Sequence, residues 1–544
     1  MSSVILKLVV EALFDGTTWT DITEDVISNP MVSSGISDNK DDDRVAGVGV
    51  CRFTLNNSNS NSAGLFGYYS PGHVNCRQGF KTGLPIRISY LLTGLGKTPK
   101  WRGRIIPGGI EVSPGLYGDR RVQVTAYDWM EQASIHRLRL MAYTSSKRGD
   151  EAIALILANM PVQPQSVKLD TGYYTFTSVF DTVRDYTTAM AEFQKICMSE
   201  RGYLYLRHNR ESDEQLVWEN RTHRDNVIAV TTVPAALSEC GEILDEDGSA
   251  ILDEDGSEIL SDDVDELSIS GYNDMSVVQG DALANRITYT AYPKNEFTGV
   301  LASTQTRIEL AAGEKKEGLK LTFRDPDGSA KISAKSIDAL VAGTDYTMNA
   351  NKDGTGTDLS ADLVVEYTAG VEGIEYSVEN TGATDGYVYL QAQGTGIRLY
   401  DKVSVTIYDA ASELSYGTQE LKIDAPYLED PAAADLFAST LLVALSQPYT
   451  EVKKVTFMTD SDVMKNFFVA IETGFRIHVE ESMCAINEDY FVQGWEFSDI
   501  GSNDGGGTVV KFTLFLKRVA IDLLRFMKWD TEGKWDDPNY RWYW

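Results

Sequence analysis

Apolar and polar residues alternate in short runs over much of this chain. Ile5 to Leu13 and the stretches 48–56, 84–92, 101–106 and 121–129 each read as a strand, with Asp15-Gly16 as a turn and Trp19-Thr20-Asp21-Ile22 opening a further strand. The polar, Gly/Asp-rich stretch 33–47 reads as a loop. The period changes after about residue 140. Asp150 to Met160 predicts a helix ending before Pro161. Thr187 to Arg201 predicts a second, with Ala189, Met190, Phe193, Ile196 and Cys197 on one face, Asp185 or Thr187 as cap and Gly202 as stop. The pair 203–206 and 215–218 returns to strands. Strands follow at 285–290 and 402–407, then a helix from Asp430-Pro431 to about Ser446, with Leu436, Phe437, Thr440, Leu441 and Ala444 as its buried stripe.

Two stretches echo each other. Gly83-Leu84-Pro85-Ile86-Arg87-Ile88 is matched by Gly474-Phe475-Arg476-Ile477-His478-Val479. The spacing from Gly83 to Gly103 equals that from Gly474 to Gly494. Val122-Gln123-Val124-Thr125 is matched by Val510-Lys511-Phe512-Thr513, and Arg52-Phe53-Thr54-Leu55 by Lys454-Val455-Thr456-Phe457. A repeat of this kind predicts two similar β units and two similar surfaces, which favours a ring-building or scaffolding protein over an enzyme with a single cleft.

The predicted organisation is mainly β with α+β modules: two tube-like β-barrel domains, a small α+β domain and an inserted β-sandwich-like domain. The boundaries are 1–140 for the first barrel, 141–238 for the α+β domain, 239–267 for an acidic Asp-Gly arm or hairpins, 268–299 with 401–517 for the second barrel and its helix, 300–400 for the insertion, and 518–544 for an aromatic tail.

Composition narrows the function. The chain has 544 residues, 49 Lys plus Arg against 80 Asp plus Glu, and a net charge of −31. Such a balance makes a poor general binder of nucleic acid, because phosphate binding rests on Lys and Arg displacing counterions. The five cysteines (Cys51, Cys76, Cys197, Cys240, Cys484) are far apart and form neither a disulfide framework nor a zinc motif. The apolar start is broken by Lys7 and Glu11, and no apolar stretch nears the ~20 residues that span a bilayer. Synthesis in a reducing cytoplasm without a signal peptide is expected.

Catalytic chemistry is not signposted. His73, His136, His208, His223 and His478 fall in no HExxH pattern, and neither a GxSxG elbow nor a phosphate loop is present. Gly505-Gly506-Gly507 reads as a hairpin loop. The Asp-Gly repeat, Ile243 to Ala250 and Ile251 to Glu258, crowds acidic oxygens but lacks the calcium-loop spacing, since Gly248 is only the fourth residue from Asp245. No catalytic, cofactor or metal residues are therefore predicted. In the tail, Trp529, Trp535, Trp542, Tyr543 and Trp544 are candidate partner contacts, because clustered Trp and Tyr suit interface anchors.

Some of these motifs resemble a family. Phe14-Asp15-Gly16-Thr17-Thr18-Trp19-Thr20-Asp21-Ile22, Arg52-Phe53-Thr54-Leu55-Asn56-Asn57, Tyr69-Ser70-Pro71, Gly83-Leu84-Pro85-Ile86-Arg87-Ile88 and Trp101-Arg102-Gly103-Arg104-Ile105 are similar to elements of tailed-phage tail-tip and baseplate hub proteins. So are Ser415-Tyr416-Gly417, Ala425-Pro426-Tyr427-Leu428 and Tyr490-Phe491-Val492-Gln493-Gly494. The resemblance covers most of the chain outside 300–400 and the tail.

That resemblance implies a homotrimer whose two barrels per chain make a pseudo-sixfold ring, placed in the virion tail. Its implied partners are a tail tube or distal tail protein, a tape-measure protein, and tip, spike or fibre proteins. DNA passes in transit, through a lumen expected to be acidic. The implied work involves no bond chemistry and no cofactor. The alternatives are a host-surface glycan-binding adhesin and a tail-associated cell-wall hydrolase.

Overall fold

The computed structural model describes residues 4–36, 43–115, 120–139, 141–142, 144–181, 183, 187–209, 212–225, 272–327, 331–399, 402–481, 483–502 and 507–519. Its largest element is a twelve-stranded sheet. The first β unit supplies β1 (Leu6–Ala12), β2 (Val26–Gly35), β3 (Val50–Asn56), β4 (Pro85–Leu92), β5 (Gly96–Ser113) and β6 (Arg121–Tyr127), together with the two-residue strand Thr20–Asp21 on the edge of β1. The second supplies β7 (Asp274–Gln279), β8 (Thr450–Met458), β9 (Arg476–Glu481), β10 (Ile486–Ser502) and β11 (Thr508–Arg518). The alternation read from sequence is the alternation of burial. Cys51, Phe53 and Leu55 of β3 and Val122, Val124 and Ala126 of β6 face the core, while Arg52 and Gln123 face out.

The strand order is the same in both units. It runs β2-β3-β6-β5-β4 in the first and β7-β8-β11-β10-β9 in the second. The local hydrogen bonds repeat too. Gly83 N donates to Ile105 O at 2.8 Å and Ile105 N to Leu84 O at 3.0 Å; Gly474 N donates to Val492 O and Val492 N to Phe475 O, both at 2.8 Å. Gly83 and Gly474 are therefore equivalent, with Ile105 matching Val492. Gly103 and Gly494 are not. Gly103 sits opposite Ile86 inside the β4–β5 pairing, whereas Gly494 lies beyond β9 and faces Gly35. The β6 match also shifts by two residues: Arg52 faces Thr125 as Lys454 faces Phe515, so Thr125 corresponds to Phe515. A two-residue slip preserves which face each side chain takes, and so leaves the alternation intact.

Other differences from the sequence reading have local causes. β2 runs to Gly35, into the stretch expected to be loop, because pairing on both of its sides outweighs its Ser and Gly content. An unpredicted helix, α4 (Asp462–Ala470), joins β8 to β9; the Ser461 hydroxyl caps it by accepting from Met464 N at 3.2 Å. Its Phe468 ring lies 4.9 Å from Tyr90, 5.5 Å from Phe497 and 5.2 Å from Phe512, so α4 welds both units into one core.

The α+β module packs α1 (Gly149–Asn159) and α2 (Ala189–Glu200) against strands Tyr203–Arg207, Gln215–Glu219 and Ser166–Leu169. Thr188, not Thr187, caps α2; Asp185 lies outside the described residues. Arg201, at φ +64°, ends the helix one residue before Gly202. Arg286–Ala291, Val403–Tyr408 and Glu420–Asp424, assigned by sequence to the second barrel, instead form their own three-stranded sheet against α3 (Pro431–Leu445). Asp430 caps α3 as expected. Its buried stripe is Ala434, Phe437, Ala438, Leu441 and Leu445, rotated from the predicted one toward Tyr289, whose ring is 5.7 Å from Phe437. The insertion comprises two sheets around Leu301, Leu310, Phe323, Val378, Val388 and Leu390.

The two units approach closely at their seam. A Cβ on Gly35 would lie 2.5 Å from Gly494 Cα and 2.6 Å from Gln493 O, and Gly35 holds φ +98°. Gly35→Ala is expected to destabilise the chain by about 2–4 kcal/mol through backbone strain and clash; an unchanged melting temperature would contradict this seam geometry.

Candidate assembly surface

β2 and β10 join the two units. Gly494, Trp495, Glu496, Phe497 and Ser498 face Gly35, Ser34, Ser33, Val32 and Met31 in antiparallel register. Backbone hydrogen bonds make this seam a continuation of the sheet. Two glycines at its crossing let the strands approach without Cβ contact.

The α+β module sits over this seam on a buried polar node. Lys100 of β5 donates to Ile471 O at 2.6 Å and to Glu472 Oε1 at 2.7 Å, and both side chains are nearly sealed from water. His208 N donates to Glu472 Oε2 at 3.4 Å, and Arg207 Nε donates to Thr473 O at 2.9 Å. Lys517 of β11 donates to the Tyr203 hydroxyl at 3.0 Å. Deeper in the module, Glu219 accepts from Tyr205 and, at 2.8 Å, from Arg224 Nε. Burial alone would raise the Glu219 pKa; the Arg224, His223 and Arg207 charges overcome it and hold the carboxyl below its ordinary value. Breaking one partner of such a buried set is costly, because it strands a charge.

This node distinguishes the two units. A Cβ on Gly474 would strike the Tyr205 hydroxyl and lie 2.6 Å from Glu219 Oε1 and 2.7 Å from Arg207 Nη2. The equivalent Gly83 has nothing within 4 Å. The module thus closes over the loop of the second unit and leaves the matching loop of the first open.

A second buried cluster lies where β5 and β6 meet the module. Asp128, Glu131 and Glu214 line an enclosed space of about 30 Å³ with Arg102, Arg104 and Gln165. Asp128 Oδ2 and Glu214 are buried, and Asp128 Oδ2 has no hydrogen-bond partner. Burial, then the neighbouring Glu214 charge, pushes Asp128 up to about 8; burial pushes Glu214 up to about 7. The pair holds protons in the folded chain that the unfolded chain has already released.

The face of the large sheet opposite the core is rich in hydroxyls. One cross-strand row reads Asp274, Thr456, Thr513, Glu496, Ser33, and the next reads Met458, Lys511, Ser498, Met31, Arg52, Thr125. Lys454, Arg104, Arg121 and Glu111 share this face. It is mixed in charge, in contrast to the acidity of the whole chain.

The tail candidates Trp529, Trp535, Trp542, Tyr543 and Trp544, and the Asp-Gly repeat, lie outside the described residues. Among the described residues no cluster of three or more His, Cys, Asp or Glu is arranged to hold a metal, and no helix is long and apolar enough to cross a membrane. Cys51, Cys76, Cys197 and Cys484 are free thiols. A shallow polar cleft of about 420 Å³ lies between the module and the insertion, lined by Thr144, Ser145, Glu296, Lys335, Ser336 and Thr395. Sequence reasoning missed Lys100, Glu472, Glu219, Arg207 and Asp128. Each is a charge with an apolar or aromatic residue on at least one side, a weak signal shared with many surface positions.

Gly83→Ala should cost about 1–2 kcal/mol, from the left-handed backbone alone. Gly474→Ala should cost about 3–5 kcal/mol, since it also breaks the buried ionic node. Equal shifts in denaturant midpoint for the two variants would contradict the asymmetry. The acid pair gives a pH signature. The folded-state pKa values are raised, so this contribution favours folding at low pH and fades as pH rises from about 4 through about 8. The loss of melting temperature between about pH 5 and pH 8 should be smaller in Asp128→Asn than in the unmodified chain; an identical loss would show that Asp128 does not take up a proton on folding.

No family model matches this sequence, and no curated protein matches it. Among solved structures, the 43 kDa tail protein of prophage MuSo2 from Shewanella oneidensis aligns with 95% of this chain and 99% of its own, at 8% identity and a TM-score of 0.44. A tail protein from Neisseria meningitidis MC58 aligns over the same shares at 9% identity and a TM-score of 0.43. The prophage tail protein gp18 from Listeria monocytogenes EGD-e covers 94% of each chain at 8% identity and a TM-score of 0.38. The chain is similar to phage tail proteins along nearly its whole length.

Proposed function

We propose that this protein is a structural hub of a phage tail, in which three copies close into a ring of six similar β units. The observation that carries this reading is the internal repeat. Two units of identical strand order are joined edge to edge, so one chain already contains one joint of a ring. A head-to-tail contact that repeats the same joint between chains generates a closed ring when the rotation permits it.

The seat of the α+β module supports a change of symmetry across the ring. Each chain presents two similar β units but only one closed module seat, over Gly474 and not Gly83. Three chains then offer six units on the sheet side and three modules on the other. Such a hub suits a sixfold tail tube on one side and a threefold tip or spike on the other, with a tape-measure protein and DNA in the passage.

The work is mechanical: holding a ring, docking neighbours and leaving a passage. If the face of the large sheet opposite the core lines that passage, DNA meets the exposed Arg52, Lys511 and Glu496 beside Met31, charges of both signs and not the acidic wall expected from composition, while Thr456 and Thr513 stay buried. Such a lining supplies few adjacent cations to displace counterions, which keeps contact brief.

Light scattering on the purified protein across a range of concentrations tests the ring. The expected mass is that of three chains, reached directly or as concentration rises. A single-chain mass at every concentration would count against the hub.

A further inference from the structure

Two of the strand edges that the large sheet leaves unpaired among the described residues match the edges joined inside the chain. One is β7, which ends the strand order. The other is the second half of β5, because its pairing with β4 stops at Arg104 while the strand continues to Ser113. Exposed edges of this length invite pairing with another chain.

The internal joint says what belongs on each edge. Ile105 matches Val492, and Ala126 matches Leu516, through equivalent pairs across β5–β6 and β10–β11. After the bulge in β5, Ile110 faces Val124 as Trp495 faces Leu514, and Glu111 faces Gln123 as Glu496 faces Thr513. The segment Gly109-Ile110-Glu111-Val112-Ser113 is thereby the structural counterpart of Gly494-Trp495-Glu496-Phe497-Ser498. Three of the five residues are identical and the other two are apolar in both. The second copy is covered by β2. The first is bare: Val112 is 39% exposed, whereas its counterpart Phe497 is 3% exposed.

The partner edge follows in the same way. A bulge at Lys453 shifts the count by one: Val32 faces the buried Cys51 as Val277 faces the buried Val452, so Ser33 matches Val278 and Ser34 matches Gln279. Val278 is 36% exposed.

We infer that β7 of one chain pairs antiparallel with Gly109–Ser113 of a second copy of this chain, setting Gln279 opposite Ile110, Val278 opposite Glu111 and Val277 opposite Val112. This rests on the ring reading and names its joint. The apolar Val112 and Val277 meet on the core face, where Phe497 meets Val32 within the chain. The interface is heterologous, since each copy offers a different edge to each neighbour.

Directly opposed residues of an antiparallel pair place their Cβ atoms about 4.5–5.5 Å apart. Glu111→Cys and Val278→Cys are therefore combined in a Cys76→Ser/Cys240→Ser/Cys484→Ser background and treated with a short bis-maleimide or mild oxidant. The expected result on denaturing gels is near-complete conversion of the double variant to covalent oligomers ending at three chains, while each variant carrying only one of the two introduced cysteines stays at one. A three-chain mass in solution without cross-linking of the double variant would overturn this joint and leave the ring standing. A single-chain mass without cross-linking would overturn both. A ladder of cross-links passing three chains would support the joint and reject the closed trimer.

Discussion

Every part of this molecule answers to the need of strand edges for hydrogen-bond partners. A β unit of five or six strands has two edges whose N–H and C=O groups are unsatisfied by the unit itself. Here one edge of each unit is satisfied by the other, through β2 and β10, so two barrels' worth of strands become one sheet. That solution carries its own consequence, because it uses one edge of each unit and leaves one. A chain built this way keeps unpaired edges among its described residues, and two of them match the edges joined inside the chain.

The other layers fix the geometry of that seam. α4 places Phe468 among Tyr90, Phe497 and Phe512 and ties the units through apolar contact, whose strength depends on buried area and little on direction. The α+β module adds direction. Glu472, held by Lys100 of β5, and Thr473, both in the segment before β9, accept from His208 and Arg207 of the module, and Lys517 of β11 donates to its Tyr203, so displacing the module strands several buried charges at once. The insertion is held to the module by Lys294, buried between Asp181 at 3.0 Å and Glu429 at 3.6 Å, and by Val371 N donating to Met141 O at 2.8 Å. Acid clusters such as Asp128 with Glu214 lie at these joints, where packing against a second layer removes water from groups that a single layer would leave exposed.

Much of the fold was legible because period and caps are local. The strands at 50–56, 85–92 and 121–127, α1, and the Asp430-Pro431 start of α3 lie within a residue or two of their sequence reading. So does the equivalence of Gly83 and Gly474. The less legible parts depend on distant partners. The strand character of Val26–Gly35 comes from neighbours on both sides, one of them more than 450 residues away. α4 was hidden because its apolar residues merge with those of the β run around it. The residues 286–291 and 403–408 look like any other strands; only their packing on α3 separates them from the large sheet.

The sequence alone determined that the chain is mainly β, that it repeats itself, and that the repeat hinges on two glycines at the starts of equivalent strands. Alternation and left-handed turns are properties of neighbouring residues, so they survive without knowledge of the fold. It also offered a false register, pairing Gly103 with Gly494, because spacing along a chain does not record bulges. Only the tertiary structure decided that Gly494 corresponds to Gly109, since that match passes through hydrogen bonds to β6 and β11 and across a bulge. It alone decided which edges are covered and which are open, because an edge is defined by what lies beside it in space.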